Sequence, residues 1–186
     1  MKKKLDDYII TYNNWYSKQF CDETVEQLKE CKYSLHEFNT PSLDAISYNN
    51  DFQITYDNIS NTPVIMNRTW DVINQYIRTD INFEWCNSWQ GFTSPRFNRY
   101  DSNTNMKEHC DHIHSMFDGN RRGVPILSVL TVLNDNYVGG ELVFFTNKEY
   151  KLNAGDVLVF PSNFLYPHKV NTIISGERHS FVNWVW

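Results

Sequence analysis

The sequence predicts a mainly β fold with supporting helices, on three observations. From Trp89 to the C-terminus, short strand-like runs follow one another, broken by polar or glycine turns, which is the pattern of a sandwich or barrel. Ahead of them stands one clear amphipathic helix. The chain has 186 residues, 41% hydrophobic and 16% aromatic, enough for a packed core in a single domain. Residues 1–88 read as helical and strand support and residues 89–186 as the core that carries the site. No internal repeat or convincing boundary divides them.

In order, Asp7-Tyr8-Ile9-Ile10-Thr11-Tyr12 reads as a first strand. Asp22 fits an N-cap, followed by a helix over Glu23 to Cys31 with Val25 and Leu28 on one face. Tyr33 to Phe38 alternates as a strand does. His36 within it is expected to be a half-exposed strand histidine, not a ligand. Pro41 to Asn61 is polar and rich in turn signals, so loop with at most a short strand is expected. Thr62-Pro63 opens the clearest helix. Met66, Trp70, Ile73 and Ile77 recur at helical spacing as a core-packing stripe, and the helix ends near Arg78 to Ile81. The strand-like runs are then Phe92 to Asp101, Met106 to His112, Pro125 to Leu133, Glu141 to Thr146, Asp156 to Phe160, Tyr166 to Thr172 and Arg178 to Trp186.

Composition excludes several classes. The formal net charge of -5 argues against a general nucleic-acid binder, which needs a basic surface to offset phosphates. No apolar run approaches the roughly 20 residues that span a bilayer, so no membrane partner is expected. The opening Met-Lys-Lys-Lys-Leu-Asp-Asp places acidic residues where a signal peptide needs its apolar stretch. Cys21, Cys31, Cys86 and Cys110 form no Cys-x-x-Cys pair and no disulfide framework. They read as reduced thiols of a cytoplasmic protein.

The chemistry is concentrated in two stretches, Tyr100 to Asp111 and Tyr166 to Arg178. They hold His109, Asp111 and His168. Two imidazoles and one carboxylate are the set that leaves three positions of a non-haem Fe(II) open on one side. Residues two apart on a strand point the same way, so His109 and Asp111 can reach one ion, with His168 arriving from another strand. By the same alternation His112 and His114 face away, as does Glu108. A zinc site of the same three donors is the competing reading, and it would need a general acid or base nearby. Arg178 offers a fixed positive fork for a carboxylate. Tyr100 is a candidate donor to that carboxylate, and Trp184, six positions after Arg178 on the same strand face, a candidate wall of the site. Trp186 reads as packing. Arg121 and Arg122, in the polar loop Asp118 to Gly123, are candidates for contact with substrate carbonyls.

These stretches resemble the 2-oxoglutarate- and Fe(II)-dependent oxygenases, and within them the prolyl 4-hydroxylase-like branch. The resemblance runs from about Gln90 to the C-terminus. It rests on Asn98-Arg99-Tyr100 ahead of His109-Cys110-Asp111, on Leu133-Asn134 with Gly139-Gly140-Glu141, on Gly155-Asp156 before His168, and on Val170, Gly176, Arg178 and Trp184 in matching order. It implies a double-stranded β-helix (a jelly-roll, cupin-like) with the earlier helices buttressing one sheet. It also implies Fe(II), 2-oxoglutarate and O2 as cofactors, with ascorbate a candidate addition, and release of succinate and CO2. The substrate it implies is a prolyl residue of a peptide or protein. Another side chain, a free amino acid or a non-redox binding role stand as alternatives. Relatives of that branch commonly carry tyrosine three positions before the first metal histidine. Here that position is Met106, so Met106 is expected at the mouth of the site, where it bears on substrate choice.

Overall fold

The computed structural model describes residues 3–39, 45–46, 52–82, 89–111 and 125–186. A 3-10 turn, Leu5–Tyr8, leads into β1 (Ile10–Tyr12) and α1 (Lys18–Leu28). The short strands β2 (Ser34–Leu35), β3 (Phe38–Asn39), β4 (Ala45–Ile46) and β5 (Gln53–Thr55) follow. Next is α2 (Thr62–Asn74), continued by a π-helical segment, Gln75–Ile81. Then come β6 (Arg96–Tyr100), β7 (Met106–His109), β8 (Leu127–Val132), β9 (Val138–Gly139), β10 (Leu142–Phe144) and β11 (Lys148–Tyr150). The chain ends with β12 (Val157–Pro161), β13 (His168–Val170), β14 (Ile173–Ser175) and β15 (Arg178–Val185).

The major sheet has seven strands in the order β1-β12-β8-β15-β6-β5-β2, and the minor sheet four, β11-β10-β13-β7. Neighbours in both pair antiparallel. Period-two alternation then sorts the major sheet's side chains onto two faces. Phe97, Val129, Val157, Val159, Phe181 and Val185 form one core with Cys21 and Leu28 of α1 and Ile65, Val72 and Ile73 of α2. Tyr100, Leu130, Val132, Leu158, Phe160 and Val182 face the minor sheet and pack on Met106, Leu142, Phe144 and Val170. This is the jelly-roll arrangement, with the helices against one sheet and the site between the two. Among the described residues no helix is long and apolar enough to cross a membrane.

Several expectations need correction. Helix α1 begins at Lys18 because Ser17 caps it, its side chain accepting from the Phe20 N–H at 3.2 Å. Asp22 lies inside the helix, paired with Lys18 one turn earlier. The buried face of α1 is therefore Cys21, Thr24 and Leu28. On α2 the stripe is shifted. Ile65, Thr69, Val72 and Ile73 are buried, whereas Trp70 is exposed and its ring meets Trp89. Strand β1 is shorter than expected because Leu5–Tyr8 coils first. The Val143–Glu149 hairpin turns at Phe145 and Thr146, both at positive φ, without the glycine that would announce it.

Candidate active site

Strands β7 and β13 pair so that His109 lies opposite His168. Strand β7 ends at His109, and Asp111 follows in a bend. The donor atoms of His109, Asp111 and His168 lie within 4.8 Å of one another, and no other such trio gathers among the described residues. Each imidazole is oriented the same way. Nδ1 of His109 meets the Lys107 carbonyl at 2.8 Å, and Nδ1 of His168 meets the Tyr166 carbonyl at 3.0 Å. A carbonyl can only accept, so Nδ1 of each ring donates to it, which turns each Nε2 toward Asp111. The Nε2 atoms stand 3.3 Å and 3.7 Å from Asp111 Oδ1. The other carboxylate oxygen accepts from Ser128 Oγ at 2.6 Å, and Ser128 sits 2.8 Å from Ser162 Oγ.

Protonation suits metal binding. Burial pushes His168 down to about 4, with the His109 ring acting the same way and Asp111 and the Tyr166 carbonyl offsetting part of it. Its imidazole is neutral at pH 7. Burial alone would raise Asp111, but His168, His109 and the Ser128 hydroxyl outweigh it and hold the group well below the usual carboxylate range.

One cavity holds this trio and the inward residues of β6 and β15. Arg178 pairs with Tyr100 across the sheet, and Trp184 pairs with Ser128. Along β15, Arg178 therefore stands six residues from Trp184, whose partner Ser128 bonds Asp111. Arg178 is 1% exposed. Its guanidinium lies 5.1 Å over the Tyr100 ring, and Nη1 donates to Ser180 Oγ at 3.1 Å. Its Nε is buried with no acceptor, and no carboxylate pairs with it among the described residues. Room for its stem comes from Gly140, at φ +71, where a Cβ would stand 3.1 Å from Arg178 Cδ and 2.5 Å from Ile173 Cδ1. Burial raises Tyr100 above its ordinary value, so its hydroxyl keeps its proton; Arg178 and Arg96 offset part of that rise.

Two expectations about neighbouring residues change. Met106 is not at the mouth. It is 7% exposed, with its sulfur 3.8 Å from the Tyr100 hydroxyl, because β7 turns it inward against Val170. His36 is buried, stacked on Phe52 at 4.5 Å, and Phe52 in turn stacks on Tyr100. Glu108 is exposed, away from the trio. Cys86, His112, His114, Arg121 and Arg122 lie outside the described residues. Sequence reading missed Ser128, Ser180, Asn98 and Arg96, all buried. The last two were within reach, since Tyr100 inward implies Asn98 and Arg96 inward on the same strand.

Residues 95–186 match the family model described as the 2OG-Fe(II) oxygenase superfamily. The chain belongs to that superfamily. This 2OG-Fe(II) oxygenase is 29% identical to a PKHD-type hydroxylase of Aliarcobacter butzleri over 174 residues, 87% of the chain and 73% of that relative. It is 30% identical to a PKHD-type hydroxylase of Synechococcus elongatus over 132 residues, 68% of the chain and 58% of the relative. A third, from Prochlorococcus marinus, is 35% identical over 77 residues and is matched over only 34% of its length. Among solved structures, the fold is similar to a Trichoplax adhaerens prolyl hydroxylase in complex with a peptide fragment of hypoxia inducible factor. That match has TM-score 0.75 at 18% identity, over 97% of this chain and 84% of that one. It is also similar to a Pseudomonas putida prolyl-4-hydroxylase, with TM-score 0.69 at 16% identity, over 97% and 95% of the two chains. The oxygenase is thus a 2-oxoglutarate-dependent dioxygenase with a double-stranded β-helix fold, and its family implies Fe(II), 2-oxoglutarate and O2. The residues present fit that set: two imidazole Nε2 atoms and a carboxylate converge at one place, and the orphaned Nε of buried Arg178 faces the same cavity.

Proposed function

We propose that this oxygenase hydroxylates a prolyl residue of a peptide or protein, converting 2-oxoglutarate and O2 to succinate and CO2. The observation that carries the reading is one cavity with a two-imidazole, one-carboxylate cluster and a buried arginine that has no carboxylate of its own among the described residues. In this reading His109, Asp111 and His168 hold Fe(II), which supplies the oxidising chemistry when bound. Ser128 fixes the Asp111 carboxylate, and the Lys107 and Tyr166 carbonyls fix the two rings. Arg178 takes the distal carboxylate of 2-oxoglutarate, as a charge-assisted fork in a pocket shielded from water. Tyr100 stays protonated beside it and is available as a second donor. Trp184 walls the cavity beyond Val182. A prolyl substrate is supported by the names of the relatives and of the structural neighbours. The free thiols Cys21, Cys31 and Cys110 suit a reducing, cytoplasmic setting.

The test is turnover. Iron-loaded protein with 2-oxoglutarate, O2 and ascorbate is offered a panel of proline-containing peptides, with succinate and peptide mass followed together. The reading expects succinate formation coupled to a mass gain of one oxygen atom on a prolyl residue. Oxygen gain on a different residue of those peptides would contradict the prolyl assignment while leaving the oxygenase class intact.

A further inference from the structure

Arg96 sits in the same cavity as the trio and has no role in the chemistry described above. It is 8% exposed. The guanidinium lies 4.8 Å over the Trp184 ring and 5.7 Å from the Phe52 ring. Its Nε donates to Asn98 Oδ1 at 3.0 Å, and no carboxylate pairs with it among the described residues. A second donor beside it is also unspent: Trp184 Nε1 is buried with no acceptor among the described residues. A buried guanidinium with no anion beside it and a buried N–H with no acceptor are each costly unless something arrives to meet them.

Arg96 and Arg178 are separate stations. Arg178 lies opposite Tyr100 and Arg96 opposite Val182, at the two ends of the β6–β15 ladder. A neutral polar line joins them: Arg178 Nη1 and Asn98 Nδ2 both donate to Ser180 Oγ, and Arg96 donates to Asn98. Arg96 is at the end nearer the trio, because Val182 and Trp184 pair with Leu130 and Ser128, and Ser128 holds Asp111. Charge decides what it awaits. A dipositive metal, the Asp111 carboxylate and two guanidinium groups, set against a dianionic cosubstrate, leave one positive charge in excess in a buried pocket. A monoanion beside the metal would cancel it.

We infer that Arg96 and the Trp184 N–H form a second carboxylate subsite, distinct from the Arg178 end, that binds a carboxylate of the acceptor substrate. The inference rests on the hydroxylase reading and deepens it. The substrate carries an acid next to the residue that reacts, either its own C-terminal carboxylate or the side chain of an adjacent Asp or Glu.

The test uses Zn(II)-loaded, 2-oxoglutarate-bound protein and the Trp184 indole N–H resonance, assigned through Trp184→Phe. Probes are acetate, N-acetylproline against N-acetylprolinamide, and acetyl-Asp-Pro-amide against acetyl-Asn-Pro-amide, all at constant ionic strength. Saturable shifts are expected with the acids, and in at least one pair the acid should bind roughly ten-fold or more tightly than its neutral partner. The pair that discriminates identifies the source of the carboxylate. Arg96→Gln should abolish the preference, Arg96→Lys should restore part of it, and both should bind Zn(II) and 2-oxoglutarate as the unmodified protein does, which also shows that they fold. The inference is overturned if no carboxylate, acetate included, shifts the resonance saturably, or if neutral probes bind as well as acids. It is also overturned if Arg96→Gln weakens 2-oxoglutarate binding as much as Arg178→Gln, since Arg96 would then serve the cosubstrate. Arg96-dependent binding of acetate with no binding of any prolyl probe would support the subsite and count instead against a prolyl substrate.

Discussion

Ser128 shows how much of this site is set by residues that touch no ligand. Its hydroxyl, in contact with that of Ser162, donates to one Asp111 oxygen and leaves the other to face the two imidazoles. Ser128→Ala should weaken metal binding by about ten-fold or more, the usual loss when an outer-shell partner is removed, with the fold intact. Competition against a metal-responsive dye measures it, and unchanged affinity would mean that Asp111 is held by other contacts. The buried histidines predict a pH effect at the same scale. His168 and His36 are pushed down to about 4 and about 3, in both cases first by burial. Arg96 and His109 add to the effect on His36. The unfolded chain takes up protons on these rings near pH 6.5, where the folded chain does not. Metal-free protein should therefore lose stability as pH falls from about 6.5 toward 4, with nothing lost above that window. His168 contributes on the order of 3 kcal/mol at the acid end. Thermal midpoints across this range check it, and His36→Phe should flatten part of the slope. A midpoint that holds steady from pH 7 to 4.5 would contradict the assignment.

Among the elements, the β9–β10 connection has a task that sequence reading did not assign. Gly140 lies at positive φ, which favours glycine. The structure adds a steric reason, the Arg178 stem lying where a Cβ would crowd it. Gly140→Ala should cost about 1–2 kcal/mol from the backbone alone. It should also displace Arg178 and weaken 2-oxoglutarate binding while metal affinity holds. Paired metal and 2-oxoglutarate titrations separate the two effects, and an equal loss in both would indicate general unfolding. Legibility followed the same physics. Strands of the major sheet such as Arg96–Tyr100 and Arg178–Val185 are readable as aromatic-bearing runs free of glycine and proline. Helix α1 was displaced because Asp22 and Ser17 both offer capping chemistry, and only packing of Cys21 and Leu28 on the sheet selects between them. The turn at Phe145 and Thr146 could not be read, because neither residue favours positive φ without its surroundings.

For the whole molecule, the jelly-roll brings together residues that are far apart in sequence. His168 reaches His109 through the β7–β13 pairing, and Arg178 reaches Tyr100 through β15–β6. The trio and Arg178 were legible because the ligand chemistry admits few residue types, each visible at a strand position. Arg96, Ser128 and Met106 were missed or misplaced because their meaning depends on which face of a strand meets the cavity. On the proposed reading, metal and cosubstrate anchoring are separable. Titrating 2-oxoglutarate into metal-loaded, oxygen-free Arg178→Ala tests this. The metal should bind as it does in the unmodified protein, and the Kd for 2-oxoglutarate should rise roughly ten- to a hundred-fold, since a charged hydrogen bond contributes about 1.5–3 kcal/mol. An unchanged Kd would mean that the distal carboxylate is held elsewhere and that the cavity between Arg178 and the trio is not the cosubstrate site.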